Sequence, residues 1–199
     1  MAVGDKQKLI TEIVGQVLGQ TPQLDKYFDW FINKHTTDHF GKWYSTIDSI
    51  FFTLNGDLSL NKSKRTQYLK CDAFFAGEYN FIFEFDEFQH FSSARLKSLE
   101  LYPTELKFNF SIEEWKRKCV LHKNRADRYR KSKTATDFNF QGGRTSQRAY
   151  LDCFRDLLPQ EHELRPTLRI NEFEVEEIFS NNKESCLKLE KLLKTKLNF

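Results

Sequence analysis

Proline and glycine are scarce in this 199-residue chain, at four and eight, so neither a collagen-like repeat nor a proline-rich spacer can be built from it. Cysteine is equally sparse. The four, at 71, 119, 153 and 186, form no CxxC pair, which argues against a zinc ribbon or a disulfide framework and fits a reducing, cytoplasmic setting. No apolar run approaches the roughly 20 residues that span a bilayer, so no membrane is expected as a partner. The opening Met-Ala-Val-Gly-Asp-Lys-Gln-Lys lacks the apolar core of a secretory signal, and residue 1 is read as the true start. There is no internal repeat and no low-complexity tract.

What is abundant is aromatic side chain, with 20 phenylalanines in a composition that is 39% hydrophobic and 30% charged. A chain of this length and composition can bury a core without disulfides or a structural metal, and one compact domain over 1–199 is expected. The net charge of +3 hides an uneven distribution. The segment Trp115–Lys133 holds nine of the 31 basic residues and one of the 28 acidic ones, Asp127, so it carries +8 while the remainder is net acidic by five.

Along the chain, apolar residues at helical spacing (Leu9, Ile10, Ile13, Val14, Val17, Leu18) predict a helix over Gln7–Gly19, and Leu24–His35 repeats the pattern. His39–Leu54 is aromatic-rich and reads equally as helix or strand. Tyr68–Phe75 and Phe81–Phe88 are β-prone runs separated by Ala76-Gly77-Glu78, the signature of a hairpin. Helices are expected over Ser92–Leu101, over the basic segment opened by Ser111, and over Arg148–Leu158 up to Pro159. Thr134–Gln147, with Gly142-Gly143, reads as a loop. A short strand at Thr167–Ile170 and two closing helices near 172–180 and 184–197 complete the pattern.

Two strands carry the chemistry. In Tyr-Leu-Lys-Cys-Asp72-Ala-Phe-Phe a carboxylate stands among residues that favour burial, which is costly unless it is paired or bound to a metal. The second strand places Ile82, Glu84 and Asp86 on one face and Phe81, Phe83 and Phe85 on the other. A hairpin brings Asp72 alongside Glu84. Such an oxygen-lined pair selects a hard cation, Mg²⁺ or Mn²⁺, able to neutralise phosphate charge and activate water, and phosphodiester hydrolysis is the reaction that uses this equipment most directly.

Asp72, then eleven residues, then Glu84-x-Asp86 with Gln89-His90 following, resembles the PD-(D/E)XK nuclease core in the form found in very-short-patch repair and homing-endonuclease-like proteins. The usual lysine of the third motif is absent, and Glu87 stands where glycine is common. Tyr150-Leu-Asp152-x-x-Arg155-Asp156-x-Leu158 followed by Thr167-Leu-Arg169-Ile170 is similar to the helix and short strand that close the same core. The resemblance covers about 66–91 and 148–175. It implies an α/β fold with a restriction-endonuclease-like core, a central mixed sheet flanked by helices (about 1–91 and 148–199) and a basic helical insertion (about 92–147). It also implies Asp72 and Glu84 as metal ligands, Asp86 as a further ligand or water-positioning group, Gln89 orienting the nucleophile, and His90 as general acid/base or phosphate contact. Glu12, from the first helix, is the positional candidate for an added acidic ligand, although it lies nearly opposite the apolar stripe of that helix, where a solvated glutamate is the plainer reading.

Plainer alternatives stand beside each assignment. Asp72 and Glu84 can be read as edge-strand charges that blunt aggregation, His90 as an ordinary half-buried histidine, and Asp152, Arg155 and Asp156 as charges tying helix to sheet. His35 and His39, four apart, and Cys119 with His122 lack further ligands for zinc and read as chance pairings. Of the basic segment, Lys123, Arg125, Arg128 and Arg130, with Arg144 and Arg148 beyond it, are the candidate DNA contacts, through phosphate first and base edges second. The expectation is a Mg²⁺-dependent DNA endonuclease, a restriction enzyme or a related defence or repair nuclease, for which a homodimer would suit cutting both strands. The alternative is a catalytically inactive nucleic-acid-binding protein that keeps the nuclease fold without the chemistry.

Overall fold

The computed structural model describes residues 4–178 and 180–197. Helix α1 (Asp5–Leu18) buries Ile10, Ile13, Val14 and Leu18 and stops at Gly19, whose φ of 64° is a left-handed conformation that glycine adopts without steric cost. The two-residue strand β1 (Gln23–Leu24) and strand β2 (Tyr27–Ile32) follow. Then come α2 (Thr37–Phe40), a 3₁₀ turn at Gly41–Trp43, α3 (Tyr44–Thr53) and α4 (Leu58–Ser63). Strands β3 (Tyr68–Lys70), β4 (Ala73–Phe75) and β5 (Phe81–Asp86) lead to a second 3₁₀ turn, Phe88–His90. Helices α5 (Ser93–Leu99), α6 (Ile112–Arg128) and α7 (Gly143–Leu157) precede a third such turn at Pro159–His162. Strand β6 (Arg165–Asn171) and helix α8 (Lys183–Leu197) end the described chain.

The fold is mixed α/β. Its main sheet has the order β1-β4-β5-β6, with β1, β4 and β5 successively antiparallel and β6 parallel to β5. Strand alternation sorts the side chains by face. Phe81, Phe83 and Phe85 of β5 and Leu168 and Ile170 of β6 pack with Ile10, Ile13 and Val14 of α1 and Leu189 and Leu193 of α8. On the opposite face Phe74 and Ile82 form an apolar patch with Cys71 at one end, and Glu84, Asp86, Thr167 and Arg169 take over at the other, all buried.

Burying those charges requires partners, and α7 supplies them at helical spacing: Asp152, Arg155 and Asp156. Arg169, fully buried, puts Nη1 2.6 Å from Asp86 Oδ1 and Nε 2.6 Å from Asp156 Oδ1, with Nη2 3.6 Å from Asp152 Oδ1. Arg95 of α5 joins through Nη2, 2.7 Å from Asp156 Oδ2, and Trp115 of α6 donates its indole N–H to Asp86 Oδ2 at 2.8 Å. Tyr102 donates its hydroxyl to Asp156 Oδ2 at 2.5 Å. Three helices are thereby fixed to one sheet face by directional contacts as well as by packing.

Several expected elements are changed. Residues 23–24 and 27–32 form strands, not a helix: exposure alternates from Tyr27 to Trp30 before Phe31 enters the core, and Tyr27–Ile32 pairs antiparallel with Tyr68–Lys70 in a separate two-stranded sheet. Its apolar spacing satisfies both periods, and cross-strand pairing decides between them. The expected strand 68–75 is therefore split between two sheets. The segment 39–54 is helical. The helix expected from Arg148 begins at Gly143, because Gly142, at φ 87°, turns the chain, and at Gly143 a side-chain Cβ would fall 1.7 Å from the Phe138 carbonyl oxygen. That glycine pair starts a helix inside the segment expected as a loop. Residues 172–177 are turns, with the Asn171 side chain accepting from the N–H groups of Phe173 and Glu174. Phe179, inside the helix expected over 172–180, lies outside the described residues. Between β1 and β4 the chain makes a long excursion, 25–72, so 92–147 is not the only stretch interposed between strands of the main sheet.

Arg169→Met leaves Asp86 and Asp156 buried beside an apolar side chain and is expected to lower the unfolding free energy by about 3–5 kcal/mol. Val120→Ser, on the exposed side of α6, is expected to change it by less than about 0.5 kcal/mol. Urea unfolding followed by tryptophan fluorescence measures both, and equal losses would contradict the role assigned to Arg169.

Candidate functional site

Asp72 lies just before β4, where backbone pairing with β5 gives way to side-chain bonds. Phe85 N–H donates to Asp72 Oδ2 at 2.8 Å, and Asp72 N–H donates to Glu84 Oε1 at 3.3 Å. Each carboxylate is thus held by the other strand's backbone, and the two side chains meet at the end of the hairpin. They line a cleft of about 190 Å³ together with Gln7, Glu87, Gln89, His90, Arg144, Arg148, Asp152 and Arg155.

Burial pushes the Glu84 carboxyl up to about 8, against the opposing pull of Arg155 and with the Asp72 charge adding to the rise. Asp72 is also raised, first by burial, while the Phe85 N–H and Arg155 act against the shift. Arg155 Nε sits 2.9 Å from Glu84 Oε1. The contact lies off the N–H direction, so it is a charge contact, and Nε is a buried donor without a hydrogen-bond acceptor among the described residues. Its guanidinium is anchored elsewhere, with Nη1 donating to the Leu151 carbonyl at 3.1 Å and Nη2 to the Lys70 carbonyl at 2.9 Å. The positive charge is therefore a fixture of the site. Glu84 is buried and Asp72 half-buried beside the Arg155 guanidinium, a pair of carboxylates that a shared cation would stabilise.

His90 reaches the cleft from the 3₁₀ turn with Nδ1 3.0 Å from Asp152 Oδ2 and 3.5 Å from Asp86 Oδ1, which leaves Nε2 for a ligand. Against the burial that would raise it, the charges of His90 and Arg169 hold Asp152 well below the usual carboxylate range. Gln89 donates to Glu87 Oε2 at 2.7 Å, and its carbonyl accepts from Arg148 at 3.2 Å.

Of the residues expected at the site, Asp72, Glu84, Gln89 and His90 come together. Asp86 does not join them: it is buried against Arg169 and Trp115 and lines no part of the cleft. One strand residue further than Glu84 on the same face is far enough to place it under α6 rather than at the opening. Glu12 is exposed on α1 and lies in a different surface depression, while Gln7 is the α1 residue at the cleft. Arg144 and Arg148, on the first turns of α7, line it. Arg125 and Arg130 flank it through aromatic rings, Arg125 over Phe88 at 3.9 Å and Arg130 over Tyr129 at 5.2 Å. Arg128 faces a different depression with Asn124, Asp127 and Lys131, and Lys123 is not part of the cleft. Arg155 was read only as a tie between helix and sheet, yet it supplies the charge nearest Glu84. Its signal was its spacing, three residues after Asp152 and seven after Arg148 on one helix face.

Among the described residues no group of three or more His, Cys, Asp or Glu side chains is arranged to enclose a metal, and no helix is long and apolar enough to cross a membrane. His35 is instead tied to Tyr150 and Asp48, and His39 to the Lys34 carbonyl. No protein-family model, curated protein or solved structure matches the chain.

The raised Glu84 value carries a pH signature. Unfolded, this carboxyl titrates near 4.5; folded, near 8, so the folded state holds the extra proton between those values. Its contribution to stability is complete below the lower value and is lost as pH rises through the upper one. Glu84→Gln is expected to flatten that decline in a series of melting temperatures, and an unchanged slope would show that Glu84 does not carry it.

Proposed function

We propose that this chain is a metal-dependent nuclease that hydrolyses phosphodiester bonds in DNA, with a restriction-endonuclease-like core. One observation carries the reading: a single cleft gathers two carboxylates whose charge burial disfavours, together with Gln89, His90 and three arginines. The arrangement of the sheet supports it. The two carboxylate segments belong to an antiparallel hairpin, and three helices, the last of them α7, precede the parallel strand at its side, with the closing helix and strand in the order that the sequence resemblance implies.

The donor set fits Mg²⁺ or Mn²⁺. Such ions take one or two carboxylates and complete their shell with water and substrate phosphate, so an enclosing cluster of three protein ligands is not required. Asp72 and Glu84 would hold the ion. When bound it neutralises charge at the scissile phosphate and makes a water molecule a better nucleophile. Arg144 and Arg148 would contact phosphate oxygens, fixing the strand across the cleft. Arg155, anchored by two carbonyls, would keep a positive charge at the reacting centre, where the third-motif lysine is missing. His90, its Nδ1 occupied by Asp152, would offer Nε2 to the leaving oxygen.

The contact between Arg155 and Glu84 also favours a second reading, a DNA-binding protein without the chemistry, because an internal counter-ion already meets part of the need for a cation. Supercoiled plasmid incubated with Mg²⁺, Mn²⁺ or EDTA separates the two: a nuclease cuts only with the ions, and a pure binder retards the plasmid alike in all three. Asp72→Ala and Glu84→Ala are each expected to abolish ion-dependent cutting and to leave retardation in EDTA within about threefold, since phosphate contacts supply most of the affinity. Full cutting by both variants would overturn the assignment.

A further inference from the structure

We infer that Tyr129 is a stacking platform for an unpaired base, so that the preferred substrate carries a single-stranded or extruded nucleotide at the cleft. The inference rests on the nuclease reading for the identity of the cleft and on separate observations for the platform. Tyr129 terminates α6, is only half-buried, and meets Phe88 edge to face, with ring centroids 5.6 Å apart and planes at 78°. Phe88 opens the same 3₁₀ turn that delivers Gln89 and His90 to the cleft. The aromatic pair is therefore continuous with the candidate reacting centre.

The two rings differ in how they are covered. The Arg125 guanidinium lies over Phe88 at 3.9 Å, within stacking distance, and fixes that ring. Around Tyr129 the guanidinium carbons of Arg130 and Arg148 are 5.2 and 6.0 Å from the centroid. Both lie within the roughly 6 Å range of a cation–π contact but farther out than Arg125 over Phe88, so Tyr129 is covered more loosely, by side chains long enough to make way for a base. Tyr129, the C-cap of α6, is extended, and Arg130, at φ 53°, takes a left-handed turn directly after the ring. A π-face bordered by cations on long side chains suits a nucleotide: the base stacks and the adjoining phosphates meet the guanidiniums. An acidic peptide would use the charges but not the ring. In an uninterrupted duplex both base faces are already occupied by neighbours, so only an unpaired base can use the platform.

The test uses the full chain in EDTA at one fixed salt concentration, with fluorescence anisotropy on a short single-stranded oligonucleotide, its blunt duplex, and a duplex bearing a single-stranded flap. A second flap probe carries 2-aminopurine in the unpaired segment. Tyr129→Ala is expected to weaken binding of the single strand and the flap by about tenfold and of the blunt duplex by less than about twofold. Tyr129→Phe, which keeps the ring, should restore wild-type affinity, and wild type but not Tyr129→Ala should quench 2-aminopurine. Arg144→Ala, a phosphate contact, should weaken all probes alike. Equal loss on every probe by Tyr129→Ala, or no quenching by wild type, overturns the platform. Absence of cutting with Mg²⁺ alongside the expected binding pattern overturns the nuclease reading and leaves the platform standing.

Discussion

Arg169 is fully buried between the carboxylates of Asp86 and Asp156, with 2.6 Å contacts to each. A guanidinium removed from water is tolerable only where acceptors surround it, and here they come from β5 and from α7. The demand is mutual. Asp86 and Asp156 could not be buried without Arg169, and α7 could not lie on a charged sheet face unless its own charges were in register with it. The parallel pairing of β5 and β6, which sets Glu84 opposite Arg169, provides that register. Arg95, Tyr102 and Trp115 extend the same cluster to α5 and α6.

That cluster divides the acidic side chains into two populations. Asp86, Asp152 and Asp156 are consumed by arginine, histidine, indole and phenol donors. Glu84 and Asp72, on the same hairpin, have backbone N–H groups and one off-axis guanidinium. Burial outweighs the pull of those donors and raises both. Two carboxylates on one face of one strand meet different partners, and the distance between alternate strand residues, about 7 Å, is enough to produce the difference.

The basic segment also proves heterogeneous once folded. Its net charge of +8 suggested one continuous footprint, but α6 turns Trp115 and Cys119 into the core and spreads its cations over several faces. Those that approach the cleft do so near the C-terminal end of α6, where Arg125 and Arg130 bracket Phe88 and Tyr129, and meet Arg144 and Arg148 arriving on α7. A charge count along the chain registers how many cations are present but not which of them share a direction.

The hairpin, the meeting of Asp72 with Glu84, the capped start of the basic helix at Ser111 and the order of the closing helix and strand were all legible in the sequence, because they depend on contacts between near neighbours and on periodicity. Ser111 accepts from the Glu114 N–H as the pattern predicts. The identity of residues 27–32 as a strand was not, because their apolar spacing fits two periods and only the distant Tyr68–Lys70 edge selects one. Nor was the fate of Asp86, the placing of Gln7 rather than Glu12 at the cleft, or the proximity of Arg155 to Glu84. Each of these was decided by which side chains from remote segments arrive to satisfy a buried charge, and that selection is made only when the sheet and α7 come together.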